Sequence, residues 1–238
     1  MCGRYTLTEV DPGKIASRFG DFDEHGIDPG TLGRFNVCPT ETILTVDGEG
    51  PRAVRWGLVP SYAKAVSQGP MLINARVETV ATKSPFAKLL ARPERRCLVP
   101  ADGWYEWLKP ETPKGEKLPF RYTVDGGLPF AFAGLWCWAN IDDEWLASAT
   151  ILTTTANGVC RPVHDRMPCV LVGAEAEAAW LSAEVDEAAA LDLLTPLEDA
   201  RCAAAPANPA VNKAGVEGPE LLVAPAGGAQ PDQLALEV

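Results

Sequence analysis

The sequence predicts an α+β protein whose sheet is mostly antiparallel and curled into an irregular barrel-like core with flanking helices. Two observations predict this class. The first 170 residues contain many short runs typical of β-strands, and turn residues separate these runs. Segments with helical character are fewer, and they lie near the start, in the middle and after the last of these runs.

Each element follows from a local signal. The predicted strands are short and apolar, and they are Thr42–Val46, Ala53–Leu58, Arg96–Val99, Phe120–Val124, Phe130–Trp136, Ser148–Thr154 and Cys169–Val172. The predicted helices are Asp11–Phe19, Ser84–Ala91, Glu175–Leu181 and Val185–Leu193. The second of these helices opens with Ser-Pro, which is a good helix start, and the last two look amphipathic.

The domain organisation follows from composition. No Gly/Ser-rich or charged linker interrupts the first two hundred residues, and 47% of the chain is hydrophobic, enough for one sizeable core. We expect a single domain over residues 1–222. The end of the chain is rich in Ala, Pro and Gly, so we expect residues 223–238 to form a loose tail.

Composition also limits the compartment and the cofactors. The sequence shows no signal peptide and no apolar run of roughly 18 residues, so we expect a cytoplasmic protein, which we also expect to be a monomer. The seven cysteines form no Cys-x-x-Cys pair, which argues against a zinc ribbon or a thioredoxin-type site. With only His25 and His164 as histidines, we expect no metal and no cofactor.

The net charge of −11 at first argues against a nucleic-acid partner. Of the 32 acidic and 21 basic residues, however, 12 and two lie from Leu171 onwards, which leaves 20 and 19 in positions 1–170. The acidity therefore belongs mainly to the last third, and a local basic groove in the first part remains compatible with the composition.

Cys2 is a candidate nucleophile. Once the initiator Met1 is removed, Cys2 carries an α-amine with a pKa near ~8 and a thiol with a pKa near ~8.5 on adjacent carbons. Such an aminothiol captures an aldehyde twice, first as a Schiff base and then as a thiazolidine ring. Taken alone, a cysteine at position 2 is better explained as an accident at a fraying terminus.

Two further segments suit proton transfer. Strand alternation places Glu106 on one face with Trp104, between Tyr105 and Trp107, where partial desolvation would raise its pKa. His164 lies in a loop rich in charge and proline, and its ordinary pKa is near working pH. A solvent-exposed Glu106 and a His164 satisfied by a neighbour such as Asp165 are the alternatives.

Two segments suit contact with phosphates and bases. Alternation along a strand would place Asn74, Arg76 and Glu78 on one face, where an amide beside a guanidinium could hold a phosphate or a sugar oxygen. A polar solvent face with an Arg76–Glu78 contact is the simpler alternative. Tyr62, close to Lys64, could stack on a base of single-stranded nucleic acid.

Together these segments resemble the SRAP family, the SOS-response-associated peptidase proteins. The resemblance runs from Met1 to about Val172, with a weaker match out to Val211-Asn212, and its motifs occur in the family's order. The matching segments are Met1–Tyr5, Phe35–Thr40, Arg55–Pro60, Asn74–Thr79, Arg96–Trp107, Ala133–Trp136 and His164–Pro168.

The resemblance implies a sensor of abasic sites in single-stranded DNA that forms a thiazolidine with the lesion and so shields it. It implies that Cys2 is the nucleophile, that Asn74 positions the sugar and the α-amine, and that Glu106 shuttles protons. His164 would assist sugar ring opening and reversal of the crosslink. The expected DNA contacts are Arg4, Arg76, Tyr62 and Arg166, with Tyr62 standing where the family often has Trp.

The family name also implies autoproteolysis that exposes Cys2, and a weak AP-lyase activity is chemically reachable from the same Schiff base. Two other functions remain open on the sequence. One is a cysteine peptidase or N-terminal-nucleophile hydrolase in which Cys2, His164 and Glu106 act on an amide. The other is a noncatalytic single-stranded DNA-binding module, whose binding would survive loss of Cys2.

Overall fold

The fold is known from a computed structural model that describes residues 2–20, 28–109 and 117–225. Thirteen strands lie within these ranges. They are β1 (Tyr5–Leu7), β2 (Arg34–Val37), β3 (Thr42–Asp47), β4 (Gly50–Trp56), β5 (Asn74–Arg76), β6 (Arg96–Ala101), β7 (Gly103–Leu108), β8 (Leu118–Val124), β9 (Phe130–Ile141), β10 (Glu144–Thr155), β11 (Arg166–Pro168), β12 (Val170–Leu171) and β13 (Cys202–Pro206).

Five α-helices are described in the same ranges, all of them short. They are α1 (Pro12–Phe19), α2 (Val77–Val80), α3 (Phe86–Leu90), α4 (Ala174–Leu181) and α5 (Glu187–Asp192). Helix α1 shows a complete start signal, because Pro12 occupies its first position and the Asp11 side chain accepts from the Gly13 N–H at 2.9 Å. No helix in the described residues is both long and apolar enough to span a membrane.

Five strands close into a barrel in the order β10–β4–β3–β6–β9 and back to β10. Within the barrel, neighbouring strands pair antiparallel except for β10 with β4, which pair parallel. The edge strands β5 and β11 both pair with β10. The long β9–β10 hairpin turns through Asp142 and Asp143, whose φ angles of 52° and 66° are those of a two-residue type I′ turn. Closure removes two sheet edges and surrounds an apolar core.

A second sheet of five antiparallel strands, in the order β13–β8–β7–β1–β2, packs beside the barrel. Strand β6 of the barrel continues into β7 of this sheet, and only Asp102 separates the two strands. A Cβ atom at Gly103 would lie 2.8 Å from the Tyr122 carbonyl oxygen, so this crossing is close enough to require glycine. The connection fixes the position of β7 relative to the barrel.

The predicted fold class is confirmed: the protein is α+β, mostly antiparallel, with a closed barrel and short flanking helices. Every strand predicted in the first 170 residues is present, with shifted ends. Strand β4 ends at Trp56 rather than Leu58 because Gly57 turns the chain at φ 117°. The hairpin strands β9 and β10 are longer than predicted because they stay paired up to the two-residue turn at Asp142–Asp143.

One local prediction is wrong. Strand β5 ends at Arg76 and helix α2 begins at Val77, so Glu78 does not share a strand face with Asn74 and Arg76. Propensity alone favoured a longer strand, but pairing of β5 with β10 stops at Thr153, opposite Arg76. The C-terminal segment packs as far as Leu221, which is fully buried, while residues 226–238 of the expected tail lie outside the described residues.

Candidate active site

The four predicted catalytic residues come from four separate segments near the contact between the barrel and the second sheet. Cys2 precedes β1, and Glu106 lies on β7, which pairs with β1. Asn74 opens β5 on the barrel strand β10, and His164 lies in the loop that leads to β11 on the same strand. Residues separated by up to 162 positions in the sequence are thus placed on neighbouring elements.

Cys2 is fully buried and is held by its neighbours. Asn74 donates a hydrogen bond from Nδ2 to the Cys2 carbonyl oxygen at 2.8 Å, and the Cys2 thiol donates to the Arg4 carbonyl at 3.8 Å. Burial raises the pKa of the Cys2 thiol well above its ordinary value, and the charge of Glu106 raises it further. The thiol therefore stays protonated and depends on a nearby base to lose its proton.

Asn74 has one more polar atom at this position. Its Oδ1 is buried, and no hydrogen-bond partner for it lies among the described residues. An amide in this state still has acceptor capacity for an incoming donor such as an amine or a hydroxyl. The Asn74 amide thus contacts Cys2 through its backbone carbonyl, and the expected role of Asn74 toward the α-amine and the sugar stays a prediction.

Glu106 is 2% exposed, and burial raises its pKa to about 7. The alternation predicted along β7 is present, since Trp104 belongs to the main core whereas Tyr105 and Trp107 pack together in a separate cluster on the other face. A carboxyl group with this pKa donates and accepts protons with similar ease near neutral pH. The charge of Asp165 adds to the rise, which shows that the His164 loop lies near Glu106.

His164 is partly buried, and that burial lowers its pKa. Its Nδ1 accepts from the Arg166 N–H at 3.0 Å, so the proton of the neutral ring is on Nε2. Asp165 Oδ1 lies 3.0 Å from the same Nδ1 and becomes its partner when the ring is protonated. The loop is fixed at its base because the Cys160 carbonyl accepts from the His164 N–H at 3.0 Å.

Arg4 occupies a polar cavity of about 510 Å³ that Trp107, Lys117 and Asn212 also line. Its Nη1 donates to Asn36 Oδ1 at 2.8 Å and to the Val211 carbonyl at 2.5 Å. These bonds orient the guanidinium and leave its other N–H groups to face a ligand. The cavity combines two cations with an indole ring, which suits a nucleic-acid strand.

Arg76 and Arg166 are in different situations. The Arg76 side chain is exposed, whereas Arg166 is buried and donates to both carboxylate oxygens of Glu78, at 2.5 and 3.0 Å. Arg166 also donates to the Thr153 carbonyl at 2.5 Å. Glu78, which the sequence suggested as a partner of Arg76, therefore pairs with Arg166, and that guanidinium is engaged in structure.

Tyr62 lies in the loop after β4 and is 61% exposed, as a stacking residue requires. Sequence patterns predict no role for Asn36, yet it is buried and accepts from Arg4, while its own amide donates to the Lys213 and Val216 carbonyls at 3.1 and 2.9 Å. Its position inside the matching segment Phe35–Thr40 was the available signal. No cluster of three or more potential metal ligands occurs in residues 2–20, 28–109 and 117–225.

Comparison with known proteins finds relatives named abasic site processing proteins. The abasic site processing protein YoqW of Bacillus subtilis is 40% identical over 190 residues, which cover 76% of this chain and 80% of that protein. The abasic site processing protein YedK of Escherichia coli is 31% identical over 192 residues, covering 78% and 81%. A crystal structure of a Bacteroides thetaiotaomicron protein shares the fold with a TM-score of 0.81 at 20% identity, covering 94% of this chain and all of the other.

The family model described as SOS response associated peptidase (SRAP) matches residues 1–214, which contain all of the candidate site. The chain therefore belongs to the SOS response associated peptidase family.

Proposed function

We propose that this protein captures abasic sites in single-stranded DNA by forming a thiazolidine between Cys2 and the ring-opened sugar. One observation carries the proposal: Cys2 is buried beside Asn74, within electrostatic reach of Glu106, whose pKa of about 7 suits repeated proton transfer. The relatives named abasic site processing proteins support the choice of substrate.

The reactive form requires a free amino group on Cys2. In the sequence Cys2 follows Met1, and its nitrogen remains a peptide nitrogen until Met1 is removed. We propose that either ordinary methionine removal or the self-cleavage that gives the family its name exposes this amine. The product is a 1,2-aminothiol already hydrogen-bonded to Asn74 through its carbonyl.

The proposed reaction balances with loss of one water molecule. The amine adds to the aldehyde carbon to give a carbinolamine, and protonated Glu106 then donates a proton to the hydroxyl group, which leaves as water. The Cys2 thiol adds to the resulting iminium carbon, the C=N electron pair returns to nitrogen, and the thiol proton passes to the Glu106 carboxylate. Glu106 ends protonated as it began, which matches a pKa near the working pH.

Asn74 and His164 have positioning and polar roles in this scheme. Asn74 Oδ1 accepts from the α-amine or from a sugar hydroxyl, which satisfies a buried atom that otherwise has no partner among the described residues. Neutral His164 offers Nε2–H to the sugar ring oxygen as the ring opens, and it acts in the reverse direction when the crosslink is released.

DNA binding is assigned mainly to the exposed and half-buried cations. Arg4 and Lys117 in the cavity beside Trp107, and exposed Arg76, would hold phosphates around the lesion, while Tyr62 stacks on a flanking base. Arg166 is held by Glu78, so its contribution to DNA binding is indirect, through the His164 loop that it orients. Single-stranded DNA is favoured because an extruded, unstacked sugar is needed to reach a buried nucleophile.

One lesser activity follows from the same groups. A Schiff base that forms without ring closure permits β-elimination, which would give weak AP-lyase activity.

The seven cysteines are all free thiols, as is typical of a reducing compartment, and we place the activity in the cytoplasm, at the nucleoid when DNA is bound.

The proposal is tested by incubating the Met1-processed protein with a single-stranded oligonucleotide containing one abasic site, followed by denaturing gel electrophoresis. We expect a shifted band with the abasic strand and none with the intact strand. Cys2→Ala should abolish the band while retaining noncovalent binding, and Glu106→Gln should slow its formation by about 10²-fold or more. The buried-cysteine control Cys137→Ala should crosslink at the wild-type rate.

The outcomes separate the three functions that the sequence left open. A full yield of crosslink with Cys2→Ala would eliminate the thiazolidine. Salt-reversible binding without any covalent band, on protein with a confirmed free amino terminus, would leave the noncatalytic binding module. Cleavage of unrelated peptides that depends on Cys2 would instead favour the hydrolase.

A further inference from the structure

A surface formed by three tryptophans lies on the β9–β10 hairpin, away from Cys2. Trp136, Trp138 and Trp145 share one face of this hairpin, since Trp138 pairs with Ala147 and Trp145 with Asn140. Trp136 is buried, Trp138 is 36% exposed and Trp145 is 69% exposed. Two exposed tryptophans that line one pocket form a shared apolar surface, and such surfaces often mark binding sites.

The two exposed rings form the wall of a pocket of about 610 Å³, here named the Trp138–Trp145 pocket, which Leu89 also lines. Arg92 and Arg95 also line it. The Arg95 guanidinium lies 4.8 Å from the centroid of Trp136, and no ion pair joins it to a carboxylate within the described part of the chain. The pocket thus has apolar walls and positive charge.

Arg92 is also accessible to an acidic ligand. It pairs with Glu94 at 2.7 Å, but each side chain is 55% exposed, and an exposed pair of this kind contributes little to stability. A carboxylate from a ligand could replace or share this contact at small cost. Trp and Arg are the residue types that most often dominate binding energy at protein interfaces.

We propose that the Trp138–Trp145 pocket binds a short acidic peptide segment of a partner protein, with one large apolar side chain of the peptide inserted between Trp138 and Trp145. Its carboxylates would pair with Arg92 and Arg95. The volume suits a few side chains rather than a folded surface.

Charge argues for a peptide over a nucleic-acid strand. Asp142, Asp143 and Glu144 form the tip of the hairpin immediately before Trp145. A polynucleotide running over Trp145 would meet three consecutive carboxylates, whereas single-strand binding needs a continuous positive groove. A peptide confined to the pocket can keep its acidic residues on the arginine side.

This surface is separate from the proposed DNA site. Trp145 precedes Ile151, the partner of Asn74, by six positions along β10, which is roughly 20 Å at about 3.3 Å per residue. The inference therefore does not rest on the proposed function. Partner binding and lesion capture could occur on one molecule at the same time.

The test uses the whole protein as bait for a displayed library of nonapeptides with acidic residues in the first half and a random second half. We expect enrichment of peptides that carry Phe, Trp, Leu or Ile after the acidic residues. Synthetic fluorescein-labelled peptides of the enriched sequences should bind with dissociation constants in the micromolar range. Trp145→Ala and Arg92→Glu should each weaken binding by at least about tenfold.

The controls are exposed residues elsewhere, Leu128→Ala and Lys14→Glu, which should leave peptide affinity unchanged. All variants should keep the wild-type thermal midpoint and the wild-type rate of crosslinking to an abasic strand. Absence of enrichment, or affinity that Trp145→Ala leaves intact, would overturn the proposal. So would a labelled 20-nucleotide single strand whose affinity falls with Trp145→Ala, since the surface would then bind nucleic acid.

Discussion

At the scale of single residues, the proposed chemistry depends on the burial of the Glu106 carboxyl group. Glu106 reaches a pKa of about 7 because water is excluded around it, while its strand neighbour Trp104 stacks on Tyr122 at 5.2 Å and shields that face. Burial of this kind costs stability whenever the group is ionised. The ionised form of Glu106 is therefore disfavoured at the position where the proposed mechanism exchanges a proton.

The pH dependence of stability tests this directly. The folded-state pKa of Glu106, about 7, lies above its ordinary value of 4.5, so the stabilisation that it contributes is complete below pH 4.5 and is lost as the pH rises through 7. Wild-type unfolding free energy should therefore fall by up to about 3 kcal/mol relative to Glu106→Gln between pH 4.5 and 8. Urea denaturation at several pH values measures the difference.

The exposed variant Glu184→Gln provides the matched control and should follow the wild-type pH profile. Parallel profiles for wild type and Glu106→Gln would show that the carboxyl ionises without penalty. In that case Glu106 would lack the proton affinity that the proposed mechanism needs.

At the scale of elements, one ion pair joins the segments that carry Asn74 and His164. Arg166 on β11 donates hydrogen bonds from both terminal nitrogens to Glu78 on α2, and it also donates to the Thr153 carbonyl on β10. Helix α2 follows β5 directly, so the same contact fixes the strand that bears Asn74. A bidentate arginine is suited to this role because its planar fork allows little rotation.

Removing the carboxylate should loosen both segments. Glu78→Ala should lower the unfolding free energy by about 1 kcal/mol, discounted because the Glu78 side chain is 48% exposed. It should also slow crosslinking, because Asn74 and His164 lose a shared support. Urea unfolding and the denaturing gel measure the two effects.

Glu9→Ala, which breaks the exposed Lys14–Glu9 pair, is the control and should cost less than about 0.5 kcal/mol with no change in crosslinking. An unchanged crosslinking rate in Glu78→Ala would mean that strand pairing to β10 alone holds Asn74 and His164 in place.

At the scale of the whole molecule, Asp102 ties the barrel to the second sheet. It lies between β6 and β7, is 3% exposed, and accepts from Thr6 Oγ1 at 2.5 Å, from the Thr8 N–H at 2.5 Å and from Thr8 Oγ1 at 2.6 Å. Arg121 Nη2 lies 3.3 Å from its Oδ1. Three strands, β1, β7 and β8, therefore meet at one carboxylate beside the crossing.

Asp102→Ala should destabilise the protein by about 3 kcal/mol or more, because the partly buried Arg121 cation and several hydrogen-bond donors lose their acceptor. The more exposed pair of Asp125 with Arg201 offers the comparison, and Asp125→Ala should cost about 1 kcal/mol or less. Chemical denaturation measures both. A loss for Asp102→Ala no greater than that for Asp125→Ala would remove the carboxylate as the tie between the sheets.

Much of the architecture was predictable because its signals are local. Alternation predicted the two faces of β7, so that Glu106 and Trp104 were assigned correctly before any packing was known. The Pro12 start of α1 and the glycine turns between strands were likewise encoded within a few residues. The ordered motifs predicted membership of the family in the same way, and the match over residues 1–214 confirms it.

Pairings between distant residues depended on the tertiary structure. Sequence proximity suggested Arg76 for Glu78, yet Arg166, 88 positions away, is its partner because β11 and α2 both pack near β10. Arg4 is oriented by the Val211 carbonyl and by Asn36, which no local pattern connects to it. The sequence by itself determined the strand pattern and the reactive residue types. The closed barrel and its junction with the second sheet decided which charges are paired and which groups are buried. The reason is that charge pairing and desolvation depend on distances through space.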